Sequence, residues 1–279
     1  MPLNGTKLEV LVESQEEISH PGTACLKMRR TLIIGHRGAS GFAIENTESS
    51  FKAALAAGVD IIETDLRLSA DGHLLAAHDA DFSRLGGPPK PIAQCKKSEL
   101  SEIVLRDGAN RIEKPLFMED ALNMFPNAYF NVDLKDSGKG IVRAWASLLM
   151  KNRAGTRCIT ASFRDRTIRH FSKICVDAPV SVARFGVAAI VLLSLFGIIR
   201  RPKRNERYLQ VPEQVGPIRV LTEKRAKKLQ KKGWKIHVWT VDNEQDMCRL
   251  IGWGIDGIMT NRPLVLRKLL ESRNGKGDS

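Results

Sequence analysis

Tyrosine is nearly missing from this chain, at two residues in 279, and all aromatics together make up 6%. Base-stacking surfaces need such rings. Nucleic acid is therefore not an expected partner, even with a formal net charge of +13, because no nucleic-acid-binding motif accompanies the charge. Cysteine is sparse and unpatterned. Cys25, Cys95, Cys158, Cys175 and Cys248 are odd in number and carry no metal-ligand spacing, as in the reduced thiols of a cytoplasmic protein. The opening residues, MPLNGTKLEVLVESQEE, lack a basic start followed by an apolar run. No secretory signal is read there, and without secretion the Asn4-Gly5-Thr6 triplet has no meaning as a glycosylation site. No apolar stretch reaches the roughly 20 residues that cross a bilayer.

What is present is an ordinary globular balance, 43% hydrophobic and 27% charged, which supports a substantial core. The length suits one α/β domain. Residues 1–30 have no sustained periodicity and read as a poorly ordered leader, residues 31–271 as the domain, and residues 272–279 as a frayed tail. The surplus of basic residues favours an anionic partner: acidic lipid headgroups or a phosphorylated small molecule.

The chain is organised around His36 to Asp79. Leu32, Ile33 and Ile34 form a short buried strand that ends in His36-Arg37-Gly38. A helix follows, with Asn46 and Thr47 available as caps, Phe51, Ala54 and Leu55 as its apolar stripe and Gly58 as its stop. From Val59 the pattern alternates, so Val59, Ile61, Glu63, Asp65 and Arg67 share one strand face. Two carboxylates at the end of an apolar face would repel and be poorly hydrated unless a cation or a proton is shared between them, and a divalent metal is the economical answer. Asp71-Gly72 predicts a tight hairpin whose returning strand carries Leu74, Ala76 and His78. A second informative strand, Tyr129 to Lys135, puts Tyr129, Asn131, Asp133 and Lys135 on one face.

Strands and helices then alternate. Residues 81–91 read as a loop near the site. Short helices are expected around Leu100, Ile103 and Val104 and over Phe117 to Met124, and a longer one over Gly140–Met150. Strands are expected at Cys158–Phe163, Val180–Ala183, Trp234–Val241 and Ile255–Thr260. Helices are expected at Arg164–Lys173, from a Thr222 cap to Lys232, at Glu244–Gly252 and at Pro263–Leu270. The count approaches eight strands and favours a closed (β/α)8 TIM barrel over an open sheet. The helix after Thr222 carries Lys224, Arg225, Lys227, Lys228, Lys231 and Lys232 as a solvated face. The most apolar run, FGVAAIVLLSLFGII at residues 185–199, is followed by Arg200, Arg201, Lys203, Arg204 and Arg207. Three readings compete for the segment 185–207: a buried outer helix, a peripheral membrane-facing element on the inner membrane surface, and a true span.

The motifs HRG at 36–38, IENT at 44–47, E-T-D at 63–65 and HD at 78–79, in that order and spacing, resemble the glycerophosphodiester phosphodiesterase family. That family is related to the phosphatidylinositol phospholipase C-like and sphingomyelinase D-like phosphodiesterases. FNVDLK at 130–135, TASF at 160–163, VWTVD at 238–242 and GIDGIMTNRP at 254–263 extend the resemblance over residues 31–270. It implies the same barrel, independently of the strand count. It also implies hydrolysis of glycerophosphodiesters to sn-glycerol 3-phosphate and an alcohol.

By the same resemblance Glu63, Asp65 and Asp133 are the metal ligands. Three oxygen donors suit one hard divalent cation, Mg²⁺ or Ca²⁺; Asp133 stands where relatives most often have Glu. His36 and His78 are the implied acid and base, since an imidazole with a pKa of about 6.5 can take a proton from a hydroxyl or give one to a leaving oxygen. Which of them starts as base is left open by the residues. A neighbouring glycerol hydroxyl would make a cyclic phosphate intermediate. Arg37 and Lys135 are expected to hold the phosphate and Glu45 and Asn46 to orient the first loop. Trp239 and Asp242 are expected on the substrate side, against the alternatives of a core tryptophan and a helix cap. His20, His73, His170 and His237 read as structural. Two rivals remain: lysophospholipase D or sphingomyelinase D-like cleavage of lysophospholipids at a membrane, and a non-catalytic basic binder of lipid or nucleic acid. The oligomeric state is not legible.

Overall fold

The alternation of strand and helix patterns is realised in a computed structural model that describes residues 31–216 and 218–274. The expected leader, with His20 and Cys25, and residues 275–279 of the expected tail lie outside the described residues. The first half of the chain runs β1 (Leu32–Gly35), α1 (Glu48–Ala56), β2 (Ile61–Leu68), β3 (Leu74–Ala76), α2 (Lys97–Glu102), β4 (Leu105–Arg106), β5 (Ile112–Glu113), α3 (Met118–Met124), β6 (Phe130–Leu134) and α4 (Lys139–Lys151). The second runs β7 (Cys158–Ala161), α5 (Asp165–Ile174), β8 (Val180–Ser181), α6 (Arg184–Leu195), β9 (Glu206–Val211), β10 (Gln214–Val215), β11 (Ile218–Arg219), α7 (Glu223–Lys231), β12 (Lys235–Val238), α8 (Glu244–Trp253), β13 (Gly257–Thr260) and α9 (Pro263–Asn274).

Strands β1, β2, β6, β7, β8, β9, β12 and β13 pair in parallel in that spatial order. Because β1 pairs with β2 on one side and β13 on the other, the sheet closes into the expected (β/α)8 barrel. The two faces of each strand meet different partners. Leu32, Ile34, Ile61, Ile159 and Met259 cluster with Tyr129, Tyr208 and Trp239 inside the barrel. Their strand neighbours Ile62, Leu66, Phe130 and Val132 pack outward with α1, α3 and α4, and Ile33, Ile236, Val238 and Ile258 pack with the later helices. Inward-pointing residues near the carboxyl ends of the strands are thus left for the site.

Several expectations are refined. Thr47 alone caps α1: its Oγ1 accepts from Ser50 N while Ser50 Oγ accepts from Thr47 N. Asn46, at φ 57°, turns its amide to the site instead. The β2–β3 hairpin is not the tight two-residue type. Its last pair is Leu68 with Leu74, and the wider loop is held by Ser69 Oγ, which donates to Asp71 and accepts from His73 N. β3 ends at Ala76, so His78 stands on the loop beyond it. The helix around Leu100 stops at Glu102, and Val104 leads into a small antiparallel ribbon of β4 and β5 that its short, unpatterned strands did not announce. The four cysteines among the described residues, Cys95, Cys158, Cys175 and Cys248, are free. In α7, Ala226 and Leu229 are buried and Thr222 accepts from Arg225 N, as expected.

The apolar run departs most from a buried helix. It forms α6 in the outer ring, anchored where Asp165 accepts from Phe185 N and Gly186 N at 3.3 Å each. Only Ile190 and Ser194 of α6 are buried, because the short β8 and the segment before β9 provide little to cover the rest. Among the described residues no helix is long and apolar enough to cross a membrane.

Candidate active site

The acidic residues are brought together by strand register. Asp65 on β2 and Asp133 on β6 are direct partners, and Glu63 lies two residues before Asp65, opposite Asn131. All three are buried. Lys135 closes the group from two residues beyond Asp133, its Nζ 2.8 Å from Asp65 Oδ1 and 2.7 Å from Asp133 Oδ2. Asp65 also has Arg37 Nε at 3.3 Å and accepts from Asn46 Nδ2 at 3.2 Å. Glu63 Oε2 accepts from Arg37 N at 2.9 Å. Asn131 and Gln210 join their amides below, with Gln210 Nε2 donating to Asn131 Oδ1 at 2.6 Å.

The titration of these groups follows their surroundings. Burial, and next the charge of Asp65, hold Glu63 well above the usual carboxylate range. Burial likewise raises Asp133 although Lys135 opposes it. At Asp65 the same burial is outweighed by Lys135 and Arg37, and the pKa is lowered. Lys135 is pushed up, because Asp133 and Asp65 outweigh the burial that would lower it.

Among the described residues no group of three or more His, Cys, Asp or Glu side chains closes into a ready metal-ligand cluster. The expectation that Glu63, Asp65 and Asp133 surround one ion meets the Lys135 ammonium, which bridges two of them. In donor chemistry the set still fits a hard divalent cation. It offers carboxylates and no thiolate, Asp133 Oδ1 is buried without a partner, and the ionised form of Glu63 is costly until positive charge joins it.

The first loop is shaped by backbone geometry. Arg37 sits at φ 52° and Gly38 at φ 84°; a Cβ on Gly38 would lie 2.7 Å from the Ser50 backbone, so glycine is required. Arg37 Nη1 donates to Glu45 Oε1 at 2.9 Å. Arg84, from the loop expected near the site, donates to both oxygens of Glu45 and to Asp79 Oδ2. Glu45 is thus clasped between two guanidinium groups, which overcome its burial and lower its pKa. Asn46 Oδ1 accepts from Thr64 Oγ1 at 2.8 Å, tying the loop to β2.

Each histidine has its own support. His36 Nδ1 lies 2.7 Å from Asn261 Oδ1. The Asn261 amide is oriented in turn, since its Nδ2 donates to Asp242 Oδ2 at 2.6 Å while Thr260 Oγ1 and Asn261 N donate to Asp242 Oδ1. With its oxygen presented to the ring, Asn261 makes Nδ1 the protonated nitrogen of His36 and leaves Nε2 with its lone pair. Burial first, then Arg37, lower the His36 pKa. His78 Nδ1 lies 2.8 Å from Asp79 Oδ1, and Arg67 donates twice to the His78 carbonyl while pairing with Asp136 at 2.6 Å.

Asp242, expected on the substrate side, has both carboxylate oxygens engaged with Thr260 and Asn261. The cap of α8 is its neighbour Asn243, which accepts from Gln245 N and Asp246 N. Trp239 is half-buried and meets Phe163 edge-on at 5.8 Å between ring centres. A cavity of about 790 Å³ runs from Arg67, His78 and Lys135 past Phe163 to Arg166, Arg169, Arg184 and Phe185. Asn261, Ser40 (which donates to Asn261 Oδ1 at 2.6 Å), Asp79, Arg84 and Arg67 were given no role from the sequence. Asn261 lay inside a motif already singled out, GIDGIMTNRP, and that was the available signal.

Comparison with known proteins adds relatives to this geometry. Residues 36–265 match the model of the glycerophosphoryl diester phosphodiesterase family. The chain is 29% identical over 256 residues to a glycerophosphodiester phosphodiesterase of Caldanaerobacter subterraneus, covering 86% of this chain and 98% of that one. It is 23% identical over 272 residues to a human lysophospholipase D, covering 86% of each. A phosphodiesterase of Oleispira antarctica, solved with the product sn-glycerol-3-phosphate, superposes with a TM-score of 0.68 at 18% identity, covering 87% of this chain and 97% of that one. At that identity the likeness concerns the fold.

Proposed function

The chain belongs to the glycerophosphoryl diester phosphodiesterase family, and from that premise we propose that His36 and His78 hydrolyse glycerophosphodiesters to sn-glycerol 3-phosphate and an alcohol beside a divalent cation. One observation carries the assignment of roles: the hydrogen-bond chain from Asp242 through Asn261 to His36. That chain leaves His36 Nε2 as a lone pair at a ring whose lowered pKa keeps it neutral near pH 7, the condition of a general base. His78, aimed by Asp79 through its other nitrogen, is then the acid.

His36 takes the proton of the glycerol hydroxyl next to the phosphodiester. The freed oxygen attacks phosphorus, a cyclic phosphate forms, and the alcohol leaves with the proton of His78. Water opens the ring with the two histidines in reversed roles. Arg37 and Lys135 carry the positive charge that holds the phosphate oxygens, the first as a planar fork kept in place by Glu45, the second as a point charge between Asp65 and Asp133. Glu63, Asp65 and Asp133 would hold the cation, Mg²⁺ or Ca²⁺. When bound it would supply neutralisation of the phosphoryl oxygens and a lower pKa for the hydroxyl. Trp239 and Phe163 form the wall on which the leaving alcohol rests.

A second reading keeps the site and the leaving alcohol and changes the retained glycerol to one that carries an acyl chain, as in a lysophospholipid. The cavity favours it at one point, where Phe163 and Phe185 line its outer part. Rates with glycerophosphocholine and lysophosphatidylcholine, each with and without chelator and with Mg²⁺ or Ca²⁺ restored, separate the two. A preference for the lysophospholipid above about tenfold, a difference of roughly 1.4 kcal/mol in transition-state binding, would install the second reading. A non-catalytic binder would have no use for paired acids and two separately aimed imidazoles.

A further inference from the structure

The exposed face of α6 and the chain leaving it carry large apolar side chains with nothing packed over them. Phe185 is 76% exposed, Leu195 61% and Phe196 74%, with Leu192 and Ile198 also exposed. Such residues scattered singly are ordinary on a protein surface; gathered on one helix and its exit they mark a surface that is covered in use. The rim of the patch settles the chemistry of the cover. Arg184 opens the helix, and Arg200, Arg201 and Arg204 follow it, all exposed. Arg166 and Arg169 of the neighbouring α5 lie with Arg184 along the same cavity. A partner that is apolar in its interior and negatively charged at its surface complements this arrangement, and an anionic phospholipid bilayer has both properties.

The fold also sets where the catalytic mouth lies relative to this surface. The cavity that begins at His78 and Lys135 opens at Arg184 and Phe185, the first residues of α6. The mouth therefore borders the first turn of α6, held there by Asp165, while Leu195, Phe196 and the arginines beyond them lie at the other end of the helix, along the flank of the barrel. We propose that α6 and residues 196–204 seat this enzyme on anionic bilayers, with the side chains of Leu192, Leu195 and Phe196 entering the headgroup boundary and the mouth of the cavity at the edge of the contact, beside Phe185. The helix lies in the interface and does not cross it.

The test is flotation of the full-length protein with phosphatidylcholine vesicles prepared with and without phosphatidylglycerol, together with turnover of soluble glycerophosphocholine. The wild type floats with the anionic vesicles only, and raised salt, which shortens the Debye length, reduces it. Leu192→Glu with Phe196→Glu lowers the bound fraction about tenfold or more, since burying even one large apolar side chain is of that order. Arg201→Glu with Arg204→Glu lowers it as well. Both variants retain soluble turnover and the wild-type melting temperature, because the four side chains are exposed and outside the site. Equal flotation with neutral vesicles, no flotation of the wild type, or undiminished flotation of the double variants would each overturn the proposal. So would a wild-type dimer by light scattering that the Leu192/Phe196 variant dissociates, because a second copy would then be the cover. Flotation requires no turnover, so failure of the assigned chemistry and failure of the docking surface give separate results.

Discussion

Replacing Asp242 by asparagine separates two ways in which this carboxylate could serve the reaction. In the structure it accepts from Thr260 Oγ1, Asn261 N and Asn261 Nδ2, at 2.8, 2.8 and 2.6 Å, and so presents the oxygen of Asn261 to His36 Nδ1 at 2.7 Å. An asparagine at 242 has one oxygen for three donors, and its own N–H then favours a turned Asn261 amide that offers N–H to the imidazole. The proton of His36 moves to Nε2, and the base is lost. The missing charge-assisted hydrogen bond corresponds to about 1.5–3 kcal/mol, or about 10- to 100-fold in rate. Steady-state kinetics on glycerophosphocholine at saturating divalent cation should show kcat falling by that factor with KM within about twofold, since the interaction acts on the base and not on bound substrate. Asn261→Ala should fall similarly, and the double variant should be no worse than either single one, because the two act as a unit. The variants' melting temperatures serve as the check on folding. A rise in KM at unchanged kcat would place Asp242 on the substrate and refute the relay, as would independent, additive losses.

Three further outcomes follow from the geometry. Glu63→Gln, His36→Ala and His78→Ala should each abolish turnover, by about 10²-fold or more for a lost acid or base, while thermal unfolding shows an intact fold; retained activity in His36→Ala would end the acid-base assignment. Chelation should remove activity and Mg²⁺ or Ca²⁺ should restore it, and full activity in excess chelator would leave Lys135 and Arg37 as the only charge on the phosphate. His237 provides a pH test of stability. It is fully buried beside Tyr208 with neither ring nitrogen paired, and burial lowers its pKa from 6.5 to about 4. Protons below pH 6.5 bind the unfolded chain first, so its contribution is complete above pH 6.5 and falls away toward pH 4, about 3 kcal/mol in all. Urea midpoints measured across that window should fall for the wild type and change less for His237→Phe, and parallel curves would contradict this.

The residues of β2 and β6 could be read in advance because a strand's period of two is local: Glu63, Asp65 and Arg67 on one strand and Asp133 and Lys135 on the other announce their shared faces. The barrel was legible for a related reason, since alternating apolar strands and amphipathic helices leave few other architectures. The aiming of His36 was not. Its partner Asn261 stands 225 positions away, and only closure of the sheet through β13 brings them together. Loop partners escaped similarly: nothing in the spacing of Glu45, Asp79 and Arg84 tells that one guanidinium binds both acids. For α6 the composition was plain and the environment was not, because burial depends on what neighbouring elements supply, and β8 is too short to supply much.

Parallel pairing of the first barrel strand with the last gives synthesis a definite order of events. The leading imidazole emerges close to the acids of the second strand, yet the amide that fixes its proton follows it by 225 positions. A product of translation that stops short of β13 contains no competent centre, and loss of residues 257–261 would remove chemistry as well as stability. Closure of the barrel is what switches the centre on.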